Sequence, residues 1–160
     1  MSRIGITGHS NLTDASVPLI AEHIKDALGI RHTGELVGLT CLARGADQVF
    51  ARVVLELGGS VEVVLPAADY RERKVRPDNA AEFDELISRA ATVRTMPFAT
   101  SDADAYMAAS EHILSTADAL IAVWDGQPAA GYGGTADVVQ AAELRGLPVT
   151  VIWPPGVERR

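Results

Sequence analysis

The sequence predicts an α/β domain of the doubly wound kind, with a mainly parallel six-stranded sheet and helices on both faces, and three observations lead there. Short runs rich in Val, Ile and Leu alternate with longer segments of helical periodicity, as repeated βαβ units require. At 160 residues and 16.9 kDa the chain has the size of one domain. Apolar residues make up 48% and charged residues 22%, enough to build one core, and no segment combines low hydrophobicity with high charge. Residues 1–153 are expected to form the domain and 154–160 a frayed tail.

Six strands fit the pattern, from Arg3 to Thr7, Leu36 to Leu42, Val61 to Leu65, Val93 to Met96, Ala119 to Trp124 and Val149 to Trp153. Between the first two, Val17, Ile20, Ala21, Ile24 and Leu28 recur at helical spacing, with Ser16 placed to cap, Pro18 just inside and Gly29 as the stop. A second helix carries Val49, Phe50, Val53, Val54 and Leu57 and ends at Gly58-Gly59. A weaker third, near Asn79 to Ala90, follows a charged stretch from Asp69 to Asp78 that reads as a long surface loop. The fourth runs from about Asp102 to Ser115 behind a Ser101 or Asp102 cap. The fifth runs from about Thr135 to Leu144 and is closed by Gly146 and Pro148.

No apolar run approaches the roughly 20 residues of a membrane span, and Met1-Ser2-Arg3-Ile4-Gly5 enters structure without a signal-peptide core, so a cytoplasmic protein with no membrane partner is expected. Fourteen basic against twenty-one acidic residues give a net charge of −7, which argues against nucleic acid as a partner, because such binding neutralises phosphates. A small anion needs only a local patch or a few backbone N–H groups. The single cysteine, Cys41, reads as a buried hydrophobe. His23, His32 and His112 show no metal-ligand spacing, so neither metal nor cofactor is expected.

In an open parallel sheet, ligands bind beyond the carboxyl ends of the strands where the strand order reverses. Three loops there combine glycine with hydrogen-bond donors. They are Thr7-Gly8-His9-Ser10, Ala43-Arg44-Gly45-Ala46-Asp47, and Trp124-Asp125-Gly126 continuing to Gly131-Tyr132-Gly133-Gly134-Thr135. The last two open helices, whose free N–H groups suit a phosphate. The first lacks G-x-G-x-x-G spacing and no P-loop occurs, which sets aside ordinary dinucleotide and NTPase readings. His9 could bond a phosphate or ribose, or cap the following turn through its ring. Asp125 could hold a ribose hydroxyl or serve turn chemistry. Tyr132 could stack on a base or shield the loop. Arg44 is the best candidate for an anion, Asp47 suits the helix dipole, and the Arg71 to Arg76 cluster reads as a solvated loop or a lid over a phosphate. Asp118, before the fifth strand, belongs to the opposite edge.

Leu42-Ala43-Arg44-Gly45-Ala46-Asp47, with Ala51 following, resembles the strand-to-helix turn of the SLOG superfamily, the Rossmann-like group joining DNA-processing protein A (Smf) proteins to the cytokinin-activating lonely guy proteins. Ala117 to Gly126 followed by Gly133-Gly134-Thr135, together with Thr7-Gly8-His9, is similar to its YpsA-type branch. The resemblance implies a nucleotide or nucleotide-derived ligand with its phosphate on the Gly133-Gly134-Thr135 turn, and a homodimer or higher homo-oligomer. Lonely guy enzymes are phosphoribohydrolases that use a glutamate three residues after the Gly-Thr pair and an arginine on the helix after the fourth strand. Here the first position is Val138, and Asp137 points about 100° away on a helix. Where the YpsA-type branch has Arg-Asn-Arg before Tyr-Met, this chain has Ala103-Asp104-Ala105 before Tyr106-Met107. Losing such groups costs orders of magnitude in rate, which favours binding over hydrolysis, with Asp137 and Arg44 as stand-ins for a phosphoribohydrolase. The third possibility is an interaction module without a ligand.

Overall fold

The computed structural model describes residues 1–31 and 34–160, so His32 lies outside the described residues. Six parallel strands form one sheet in the order β4-β3-β2-β1-β5-β6. They are β1 (Ser2–Gly8), β2 (Leu36–Thr40), β3 (Ser60–Leu65), β4 (Thr92–Thr95), β5 (Ala119–Val123) and β6 (Val149–Ile152). The helices are α1 (Ser16–Arg31), α2 (Ala46–Glu56), a short α3 (Tyr70–Lys74), α4 (Ala80–Arg89), α5 (Ala103–Thr116) and α6 (Thr135–Leu144), with a 3₁₀ turn at Pro77–Asn79.

Period-2 alternation sorts the two faces. Ile4 and Ile6 of β1 pack with Ile20, Ile24, Phe50 and Val54 of α1 and α2, while Val37, Leu39 and Cys41, on and just after β2, turn to Ala109 and Ile113 of α5. Leu120 of β5 joins Met107, Leu114 and Val138 on that second face. The cover does not extend to the edge, since all four residues of β4 are exposed.

The elements fall where periodicity places them, with three differences. Helix α1 runs through Gly29 to Arg31, because the buried Leu28 keeps the last turn on the core. Strand β2 stops at Thr40 rather than Leu42, because Leu42 adopts a left-handed φ of 61° and turns the chain. The stretch from Asp69 to Asp78 lies at the surface but is not a loop, since it holds α3 and the start of the 3₁₀ turn and is anchored in the core at its ends. Tyr70 is buried against Phe83 and Tyr106, at ring-centroid distances of 6.1 and 5.9 Å. Asn79 exchanges two 2.9 Å hydrogen bonds with Gln48 of α2, a buried amide pair in which each partner satisfies the other.

The tail is not frayed. Val157 is buried, Leu12 and Arg159 form an antiparallel bridge, and the Ser16 hydroxyl, in place of capping α1, accepts the Glu158 N–H at 2.8 Å. Arg160 N–H donates to the Asn11 carbonyl at 2.8 Å. Residues 154–160 thereby return to the β1–α1 loop at the carboxyl edge of the sheet. No described helix is long and apolar enough to cross a membrane.

Candidate functional site

The chain runs from β1 outward through β2 and β3 to β4, then crosses back to β5 on the other side of β1. Loops that diverge there leave a crevice, and a cleft of about 930 Å³ opens at that point. Of the residues expected to bind, Gly8, His9, Ser10, Arg44, Asp47, Gly133, Gly134 and Thr135 line it, and Gly45, Ala46, Asp125 and Gly126 do not.

Gly45 and Ala46 join two loops instead. Gly45 has φ +86°, and a Cβ there would stand 2.6 Å from the His9 carbonyl oxygen, which accepts the Ala46 N–H at 3.2 Å. This contact seats the start of α2 on the loop after β1.

The His9 ring does not cap the turn that follows it but serves the loop after β5. Its Nε2 accepts the Asp125 N–H at 3.1 Å, which places the ring proton on Nδ1 and makes the ring neutral. Burial, and then the charge of Arg159, pushes its pKa down, in keeping with that form. The Asp125 Oδ1 at 3.2 Å is therefore a neighbour and not an ion-pair partner. Trp153 meets the ring edge-on at 5.5 Å. Asp125 is occupied as well. It accepts the Gln127 N–H at 3.0 Å and an Arg159 Nη1 bond at 3.0 Å, and the Gln127 bond first, then Arg159, holds its carboxyl below the usual carboxylate range.

Asp47 forms part of the cleft floor. Its Oδ2 accepts the Ala43 N–H at 3.2 Å beneath the left-handed Leu42, a conformation that costs on the order of 1 kcal/mol for a residue with a Cβ. It is nearly out of solvent, at 7% exposure, and burial pushes its pKa up to about 7 against the pull of the Ala43 N–H and the Thr40 hydroxyl. Around it, burial raises the Cys41 thiol and the Tyr70 hydroxyl and pushes Tyr106 up to about 12, so these neighbours are neutral at pH 7.

Gly133, at φ +88°, makes the turn into α6, and its N–H is held by the Asp137 Oδ2 at 2.8 Å. Asp137 is thus committed to the turn and is absent from the cleft wall. The wall at the matched positions is Val138 and Ala103, with Asp104 exposed outside it. Arg44 reaches the cleft, but its guanidinium grips the Asp78 carboxylate through bonds of 3.2 and 3.1 Å. Tyr132 lines the cleft and is largely exposed.

Sequence reasoning missed part of the wall. Lys74 and Arg76, from the segment read as a solvated loop or lid, line the cleft, as do Arg159 and Arg160 of the tail. With Arg44 they face only Asp47 and Asp102 among acids in the wall, so an acidic protein carries a locally cationic cleft. The arginines after Asp69 were visible as a cluster. Nothing local marked the tail, whose place depends on Asn11, Leu12, Thr13 and Ser16 far away in sequence.

No protein-family model matches the chain, and no curated protein matches it. Solved structures do. DNA processing protein A from Streptococcus pneumoniae superposes with a TM-score of 0.69 at 15% identity, covering 98% of this chain and 52% of that one. The chain thus spans about half the length of that neighbour. DNA processing protein A from Helicobacter pylori, solved to describe its single-stranded DNA binding mode, gives 0.66 at 14% identity, with 99% and 68% covered. The Moco carrier protein from Chlamydomonas rheinhardtii gives 0.56 at 16% identity, with 94% and 74% covered. The Helicobacter pylori structure overturns the expectation that nucleic acid is an unlikely partner. That expectation rested on net charge, whereas five of the 14 basic residues line one cleft. The parallel six-stranded sheet, its strand order and these superpositions together give the chain a Rossmann-like fold, the fold these structures share.

Proposed function

We propose that the cleft binds a nucleotide or nucleotide-derived ligand, with its phosphate on the Gly133-Gly134-Thr135 turn. The observation that carries this reading is the state of that turn. The N–H groups of Thr135 and Ala136 have no acceptor among the described residues, both residues line the cleft, and the first turn of α6 directs its positive dipole end there. The resemblance of Thr7-Gly8-His9 and of the β5 region to the YpsA-type branch supports the same reading, with residues 1–153 as the nucleotide-binding domain and the 154–160 tail completing its cleft wall.

Binding without hydrolysis is favoured because both stand-ins are committed elsewhere. Asp137 secures Gly133, Arg44 grips Asp78, and Val138 presents hydrocarbon where the lonely guy glutamate would stand. A proton NMR time course of 5′-AMP with the protein tests both points in one tube. Broadened AMP resonances without free adenine are expected. Free adenine would restore the phosphoribohydrolase, and AMP lines unchanged at millimolar protein would refute the nucleotide reading.

A further inference from the structure

The phosphate seat proposed above lies on one flank of the cleft, and two unpaired cations lie on the other. Lys74 ends α3, Arg76 precedes the 3₁₀ turn, and both line the cleft. Neither forms an ion pair or a side-chain hydrogen bond among the described residues. Asp78, whose carboxyl feels the charge of Arg76, is already gripped by Arg44. Other cations on the segment are placed differently, since Arg71 makes two bonds to Asp84 and Arg73 lies outside the cleft wall.

Topology separates the two flanks. Lys74 and Arg76 follow β3, the Gly133 turn follows β5, and β2 and β1 lie between those parent strands, so the two groups enter the one cleft from opposite sides. One phosphate seated on the turn leaves Lys74 and Arg76 without a counter-charge. In a chain with 21 acidic residues, two cations facing a cleft and paired with none of them are available for a ligand. We propose, resting on the nucleotide reading above, that the ligand carries two separated phosphates, one on the Gly133-Gly134-Thr135 turn and the other between Lys74 and Arg76, as a nucleoside phosphorylated at two positions of its ribose would.

Calorimetric titration with 5′-AMP, ADP and adenosine 3′,5′-bisphosphate tests it, because ADP and the bisphosphate have equal numbers of phosphates and differ in their placement. The bisphosphate is expected to bind at least about ten-fold more tightly than ADP, the gain of a charge-assisted contact. The Lys74→Ala/Arg76→Ala double variant should shrink that advantage to within about two-fold. Arg73→Ala, which removes a charge from the same segment outside the cleft, should leave it intact. ADP binding as tightly as the bisphosphate, or an advantage that survives the double variant, overturns this proposal and leaves the nucleotide reading standing. Failure of all three ligands to bind overturns both. An oligothymidylate that binds more tightly than the bisphosphate, and more so with each added nucleotide, would overturn it in favour of a single-stranded nucleic acid.

Discussion

The turns that open α2 and α6 are built from the same parts and have different work. Each has a glycine with positive φ, Gly45 or Gly133, and an aspartate in the first helical turn whose carboxylate accepts the N–H four residues back, Asp47 from Ala43 and Asp137 from Gly133. The α2 turn is pressed into the molecule. Gly45 touches the His9 carbonyl, the Ala46 N–H is spent on it, and Asp47 is buried. The α6 turn stays open, with the Thr135 and Ala136 N–H groups without an acceptor among the described residues, both residues lining the cleft, and Asp137 half-buried. Equal local chemistry thus gives a packing joint in one place and an open, cleft-lining turn in the other, and burial decides which.

That contrast breaks most visibly at the glycines. Gly45→Val forces a β-branched side chain into a left-handed backbone with its Cβ 2.6 Å from a carbonyl oxygen, and is expected to destabilise the fold by about 3 kcal/mol or more, read by denaturant melts. Gly134→Val has an ordinary φ of −73°, but its Cβ would come within 2.9 Å of Ala129 Cβ. It should displace the 129–134 loop and remove AMP affinity while keeping most of the melting temperature. Equal loss of stability in the two variants would erase the distinction.

Asp47 should next declare itself through pH. Its carboxyl loses a proton near pH 7 in the fold and near its ordinary value when unfolded, so the folded state binds more protons between these values and stability falls as pH rises through that window. Asp47→Asn keeps an acceptor for the Ala43 N–H and has nothing to ionise. Its stability relative to the parent should climb by about 2 to 4 kcal/mol between pH 4 and pH 8 and level off above that. Parallel stability curves for the two proteins would show that the carboxylate is solvated. Asp137→Ala, at a half-buried site, should cost only about 1 kcal/mol through the lost acceptor at Gly133, measured at pH 7.

The smallest effects belong to ligand contacts at single side chains. Thr135→Ala and Arg44→Ala are each expected to weaken AMP binding by about three- to ten-fold, seen as reduced NMR line broadening. Asp118→Ala serves as the control. Its carboxylate accepts the Arg3 N–H at the far end of β1, and affinity should not change.

Strand and helix placement was legible because burial on one face imprints a period of 2 or 3.6 on the chain, and Ile4, Ile6, Phe50 and Val54 carry that imprint without reference to anything distant. The glycine turns were legible for a similar reason, since a helix start with glycine and a nearby carboxylate is a local arrangement. What could not be read were choices made by contact between remote segments. Tyr70 and Asn79 convert an apparent surface loop into packed structure by meeting Phe83, Tyr106 and Gln48. The tail becomes a wall of the cleft through Asn11, Leu12 and Ser16.

By itself, then, the sequence determined the α/β class, the order of the elements and the sheet edge at which the glycine turns gather, because hydrophobic periodicity and turn chemistry are properties of neighbouring residues. Tertiary structure alone decided that Asp47 is buried while Asp137 is not, that His9 and Asp125 serve each other, and that Lys74, Arg76, Arg159 and Arg160 converge on one cleft in an acidic protein. Burial and charge convergence depend on which distant segments meet, and no local pattern in the chain records that.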